Sequence, residues 1–138
     1  MKNLMVLVFS VSLLIGVTLL VGCVRDEATT INDITPQEAF SLMQDNMNNP
    51  DFVIIDVRTR EKFSTERIEN ATNIDFYSET LRDILNNLDK NKKYLIYCRS
   101  GARSGSTLDM MAELNFNEAY NISGGINRWK SEGFPTVK

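Results

Sequence analysis

The 138-residue chain contains no histidine. That absence removes Ser-His-Asp and Cys-His nucleophilic catalysis, and with them most zinc sites. Only two cysteines occur, Cys23 and Cys98, too few for a cysteine-rich metal site or a disulfide-stapled scaffold. Basic residues are also in the minority, 15 against 18 acidic, and a net charge of −3 gives no sequence-wide footprint of nucleic-acid binding. No internal repeat and no low-complexity segment interrupts the chain. Neither a metal nor a cofactor is expected, and any catalytic cysteine must be activated by something other than imidazole.

One long apolar run is present, and it comes first. Met1-Lys2-Asn3 is a short basic opening, Leu4 to Val21 is almost wholly apolar, and Leu20-Val21-Gly22-Cys23 ends the run on small residues and a cysteine. This segment resembles the signal and lipobox of prokaryotic lipoproteins. The resemblance implies cleavage before Cys23 and acylation of its thiol and new amino group. It also implies a membrane-anchored domain outside the cytoplasm, on a periplasmic or cell-surface face. Stable attachment takes more than one acyl chain. The alternative is an uncleaved anchor helix, since Leu4 to Gly22 nearly suffices to span a bilayer. Residues 1–22 carry a single charge, Lys2, so the remainder holds 14 basic and 18 acidic residues, a net −4. With Cys23 lipidated, Cys98 is a lone thiol.

Residues 23–33 read as a lipidated cysteine and polar tether, and residues 34–138 as one domain. Thr35-Pro36-Gln37-Glu38 predicts a helix start, with a Thr cap, Pro at the first position and Glu three residues after the cap. Phe52-Val53-Ile54-Ile55-Asp56-Val57 is a continuous apolar run, expected of a strand covered on both faces. Glu61 to Asn73 reads as irregular, with a short strand over Asn73 to Phe76. Ser78 is expected to cap a helix carrying Leu81, Ile84, Leu85 and Leu88 on one face. Tyr94 to Tyr97 and Glu118 to Ile122 read as strands, Ser104 to Leu114 and Ile126 to Glu132 as helices. Gly133 and Pro135 mark the last stop. Strands alternating with helices predict an α/β fold: an open, mostly parallel central sheet with helices on both faces.

Chemistry concentrates in Cys98-Arg99-Ser100-Gly101-Ala102-Arg103-Ser104. The sequence puts a thiol at the carboxyl end of a strand, then a tight loop, then a helix. Open α/β sheets bind ligands at that edge, and helix N-termini attract anions. Successive loop N–H groups can form an anion nest around the sulfur and stabilise a thiolate. Gly101 and Ala102 leave room for the backbone to approach, and Arg99 and Arg103 attract a doubly negative ligand. Asp56 and Arg58 fall at the same edge if the strands are parallel, and read as support for neighbouring loops. Gly124 and Gly125 mark a turn with unusual backbone angles, and Trp129 a packing aromatic.

This loop resembles the active-site loop of single-domain rhodaneses, the thiosulfate sulfurtransferases. Ile55-Asp56-Val57-Arg58 is similar to that family's Asp-x-Arg element, Ser123-Gly124-Gly125-Ile126-Asn127-Arg128-Trp129 to its Gly-Gly-x-x-x-Trp segment, and Gly133-Phe134-Pro135 to its ending. The likeness runs from about Ile34 to Val137. It implies a rhodanese-like fold and double displacement. Cys98 takes the outer sulfur of an anionic donor such as thiosulfate, sulfite leaves, and the persulfide passes sulfur to cyanide or another thiophile. The Cys-x4-Arg spacing is one residue shorter than the Cys-x5-Arg of related phosphatases and arsenate reductases, which favours a single sulfur over a whole oxyanion. Glu66 to Ala71 departs from the pattern, standing where many members have Gly-His-Ile-Pro-Gly-Ala. The other readings of the same loop are a persulfide carrier serving a protein sulfur acceptor and a thiolate redox sensor.

Overall fold

Alternate residues of Tyr94-Leu95-Ile96-Tyr97-Cys98 enter two different cores, and this alternation organises the domain. The computed structural model describes residues 28–138. The expected signal segment 1–22, Cys23 and the first part of the tether lie outside the described residues. The elements in chain order are β1 (Thr30–Ile34), α1 (Pro36–Asp45), β2 (Phe52–Asp56), α2 (Arg60–Thr65), β3 (Ala71–Asn73), α3 (Leu81–Asn86), β4 (Lys93–Tyr97), α4 (Ala102–Glu113), β5 (Glu118–Ile122) and α5 (Gly125–Ser131). The strands form one sheet in the order β1-β5-β4-β2-β3, and every pairing is parallel. Among the described residues no helix is long and apolar enough to cross a membrane.

One face of the sheet packs Ile55, Val57, Tyr94, Ile96 and Cys98 against Leu81 and Leu85 of α3 and Leu108 and Met111 of α4. The other packs Ile54, Leu95, Tyr97 and Ile122 against Ala39 of α1 and Ile126 and Trp129 of α5. Burial on both sides is why the central strands read as unbroken apolar runs. Trp129 is fully buried and gives its indole N–H to the Pro135 carbonyl at 2.9 Å. Phe134 folds back beside it, with ring centroids 4.9 Å apart, and stacks on Phe40 of α1 at 5.0 Å. The α1 start is the expected capping box. Thr35 Oγ1 accepts from the Glu38 N–H, and the Glu38 carboxylate accepts from the Thr35 N–H at 2.7 Å.

Several sequence expectations need correction. Residues Thr30–Ile34 are not tether but an edge strand paired with Glu118–Ile122, so the domain begins before Ile34. Its polar residues sit at an exposed edge, where apolar alternation is not required. The stretch expected to be irregular contains α2, a six-residue helix with no buried residue and hence no apolar period to read. The third strand lies at Ala71–Asn73 rather than Asn73 to Phe76. Ile74 and Phe76 each still donate one backbone bond to β2 or its extension, but Asp75 Oδ1 accepts the Tyr77 N–H and turns the chain away. In α3 the cap position is Thr80, not Ser78, and Ile84 is exposed while Leu81 and Leu85 are buried. Helix α4 begins two residues earlier than expected, directly after Gly101.

The departure at Glu66–Ala71 is absorbed by other means. Asn70 takes φ 63°, the left-handed conformation that asparagine tolerates better than other side-chain-bearing residues, at the place where the family pattern has glycine. Ile68 is fully buried and gives its N–H to the Tyr97 hydroxyl at 3.0 Å. Arg67 pairs antiparallel with Val137.

Truncating the buried anchor of the α1/α5 face tests this packing. Trp129→Ala is expected to lower stability by about 3–5 kcal/mol, read as an earlier urea midpoint for the full chain.

Candidate active site

β2 and β4 are paired neighbours running in the same direction, so the residues that follow them emerge at one edge of the sheet. Cys98 leaves β4 there, and Val57 and Arg58 leave β2 beside it. The loop then reverses at Gly101, whose φ of 98° belongs to the left-handed region, and α4 starts at the next residue. This geometry turns donors onto the sulfur. The Gly101 N–H donates to Cys98 Sγ at 3.1 Å, and the Ser104 hydroxyl, in the first turn of α4, donates at 3.3 Å. Cys98 and Ser104 are both buried, at 1% and 0% exposure, so these bonds face little competition from water.

Burial pushes the Cys98 thiol up. The Ser104 hydroxyl, followed by the backbone N–H groups of Ser104, Gly101 and Ser100, outweighs it and brings the thiol below its ordinary range. The ionisation of this thiol is therefore eased by hydrogen bonds alone, and no imidazole takes part.

A second segment holds the loop in place. The Ile126 N–H donates to the Cys98 carbonyl at 2.9 Å, and the Asn127 N–H to the Arg99 carbonyl at 3.1 Å. Those bonds require the start of α5 to lie against the loop. Gly125, at φ 61°, makes this possible, since a Cβ there would meet the Arg99 and Cys98 carbonyl oxygens at 2.5 Å. The Ser123-Gly124-Gly125 turn is thus the back wall of the cysteine loop.

Asp56 and Arg58 form a buried pair at 2.6 Å, the carboxylate fully buried and the arginine side chain 7% exposed. Asp56 Oδ1 also accepts the Arg58 N–H at 2.8 Å, and Arg58 Nη2 donates to the Glu66 carbonyl. The guanidinium lies 5.7 Å from the centre of the Tyr97 ring. The pair ties the end of β2 to the 66–71 segment.

Beside the loop lies a cleft of about 440 Å³ with Arg58, Lys62, Arg99, Arg103 and Lys130 in its walls. Arg58 is matched by Asp56, and Lys130 by Glu66 at 2.7 Å. Lys62, Arg99 and Arg103 have no carboxylate partner among the described residues. The Arg103 guanidinium rests over the ring of exposed Tyr77, 5.6 Å from its centre. A chain of net charge −3 therefore presents a basic mouth at this edge.

The expected site residues come together here, in different capacities. Ser100, Gly101 and Ser104 serve the sulfur, while Arg99 and Arg103 line the cleft and do not touch it. Ala102 is exposed at the start of α4. Cys23 lies outside the described residues. The sequence alone assigns the Ser104 hydroxyl no individual part and does not point to the Ile126 and Asn127 amides, Lys62 or Tyr77. Serine six residues after a loop cysteine, in the first turn of the helix, is the signal that points to the first of these. Lys62 carries no local signal, because α2 has no pattern of its own.

Residues 33–132 match the Rhodanese-like domain family. The chain is 29% identical over 106 residues to the thiosulfate sulfurtransferase GlpE of Glaesserella parasuis, covering 77% of this chain and 93% of that protein. It is 35% identical over 81 residues to a Coxiella burnetii protein of the same name, covering 59% and 74%. The crystal structure of a rhodanese-related protein from Thermoplasma volcanium superposes with a TM-score of 0.63 at 27% identity, covering 77% of this chain and 97% of the other.

Two outcomes follow from the loop geometry. Ser104→Ala is expected to shift the appearance of thiolate ultraviolet absorbance to higher pH, leaving about three- to tenfold less thiolate at neutral pH. Because the native thiol ionises below its unfolded value, stability relative to Cys98→Ser is expected to rise as pH climbs through the native pKa. That gain levels off above the ordinary thiol range and disappears as pH falls through the native value, as urea melts at stepped pH would record.

Proposed function

The chain belongs to the rhodanese-like domain family and is a sulfurtransferase, and from that premise we propose that it moves sulfane sulfur from thiosulfate or a similar anion to a thiophile through a Cys98 persulfide. The observation that carries this reading is the convergence of the Gly101 N–H and the Ser104 hydroxyl on one buried sulfur in a protein without histidine. In the first step the Cys98 thiolate attacks the outer sulfur of thiosulfate. A new S–S bond forms, the sulfur–sulfonate bond breaks, and sulfite departs with its electron pair. In the second step cyanide or a thiolate attacks the outer sulfur of the persulfide, the Cys98 S–S bond breaks, and the thiolate returns. Neither step needs an external oxidant or a proton transfer with cyanide as acceptor.

The loop donors suit both states of the cysteine, since thiolate and persulfide are both anionic. Arg99, Arg103 and Lys62 favour entry of a dianion to the cleft, an effect that salt weakens. The anchoring reading rests on residues 1–23 alone: a cleaved signal, lipidation of Cys23, and a domain held at the outer side of a membrane.

Thiosulfate treatment of the full chain is expected to add one sulfur atom to Cys98 by intact mass, and Cys98→Ser to abolish both that gain and thiocyanate formation. A wild-type chain that takes no sulfur counts against the proposal, while loading without turnover to cyanide favours relay to a protein acceptor. Arg103→Ala is expected to raise KM for thiosulfate by about ten- to a hundredfold with smaller change in kcat, from the loss of one charge-assisted contact. Cys23→Ser, expressed in a bacterium that processes lipoproteins, is expected to lose the lipid mass and the membrane fraction.

A further inference from the structure

Asn121 lies near the end of β5, only 4% exposed, between that strand and the Cys98 loop. The triplet Asn121-Ile122-Ser123 fits a glycosylation pattern, but a side chain this buried is closed to that modification. Asn121 Nδ2 donates to the Gly101 carbonyl at 3.2 Å and to Asp33 Oδ1 of β1 at 2.7 Å. Both neighbours only accept, so the nitrogen and not the oxygen must face them. At the other end, Asn121 Oδ1 is buried and has no hydrogen-bond partner among the described residues.

A buried carbonyl without a partner is destabilising, and leucine would occupy a similar volume without one. The protein hydrogen bonds of the Asn121 side chain are made at its donor end. What that end holds is Gly101, the residue whose own N–H points at Cys98 Sγ from 3.1 Å. Gly101 has a left-handed backbone and no side chain to fix it. Its carbonyl instead receives the Gly105 N–H of α4 at 2.9 Å on one side and Asn121 on the other. A Cβ on Gly101 would stand 3.1 Å from the Gly124 backbone nitrogen, a tight approach, and the φ of 98° strains any side chain placed there.

We propose that Asn121 is a positioning residue for the nucleophile: it pins the Gly101 carbonyl against β5 and so keeps the Gly101 N–H aimed at the Cys98 sulfur, while Asp33 holds Asn121 from the edge strand. The proposal rests on Cys98 as the reacting thiol, but not on which donor supplies its sulfur.

The test titrates thiolate ultraviolet absorbance in the full chain, each variant being corrected by its Cys98→Ser counterpart. Asn121→Leu is expected to move the midpoint to higher pH and to leave about three- to tenfold less thiolate at neutral pH. Asp33→Ala separates positioning from simple electrostatics. Arg99, Arg103, Lys62, Lys130 and the Asp56–Arg58 pair stay in place, and removing the nearby Asp33 carboxylate would by charge alone ease ionisation and lower the midpoint. Loss of the anchor raises it, and a rise smaller than that of Asn121→Leu is the expected result. An unchanged or lowered midpoint in Asp33→Ala overturns the proposal, as does a folded Asn121→Leu with the wild-type midpoint. Should Asn121→Leu fail to fold, Asp33→Ala decides alone, because its side chain lies on an exposed edge. The titration uses no sulfur donor, so failure of thiosulfate loading would strike the proposed function and leave this measurement intact.

Discussion

The carbonyl oxygens of Cys98 and Arg99 sit so close to Gly125 that the rest of the site depends on that position having no side chain. Two backbone bonds, from Ile126 and Asn127, cross the same gap. They fix the direction in which the chain leaves β4, and that direction decides where Gly101 reverses and where α4 begins. The hydrogen bonds on the sulfur are consequences of this contact. A loop held only by its own turn would pay the entropy of ordering each time it closed on an anion; one held from behind keeps its donors aimed beforehand.

Activation of Cys98 is a contest between two effects of burial. Taking the sulfur out of water disfavours the charged form, yet the same exclusion of water strengthens each hydrogen bond that reaches it. The bonds win because they arrive from fixed backbone and from a serine that is itself buried. Arginines take no direct part at the sulfur. Arg99 and Arg103 lie at the mouth, where they and Lys62 make the cleft wall positive. Hydrogen bonds to the sulfur and positive charge at the cleft thus come from different groups of one short loop.

The two faces of the sheet also have separate tasks. The α3/α4 side takes in Cys98 and gives the sulfur its dry surroundings, while the α1/α5 side carries the Asp56–Arg58 pair and the back wall of the loop. Removing one member of a buried pair strands the other charge, so Asp56 and Arg58 hold each other in place. The 66–71 segment hangs on that pair and on Tyr97, which is how it keeps its course without glycine, histidine or proline at the family's usual places.

The sequence by itself determined the candidate cysteine, the hydrogen-bonded loop around it and the alternation of strands and helices. These are local properties: a cysteine at the end of an apolar run, small residues after it, and no imidazole anywhere. The parallel sheet followed from that alternation, and the helix start at Thr35 from a cap whose partners are three residues apart. Tertiary structure decided what depends on residues distant in the chain. Thr30–Ile34 is a strand only because β5 offers it an edge, and α2 exists without an apolar stripe to announce it. The clamp of Ile126 and Asn127 on the loop, the donor end of Asn121 and the basic mouth shared by Lys62, Arg99 and Arg103 each join segments tens of residues apart. Spacing along the chain carries no information about such meetings, because it is the packing of both faces of the sheet that brings the segments together.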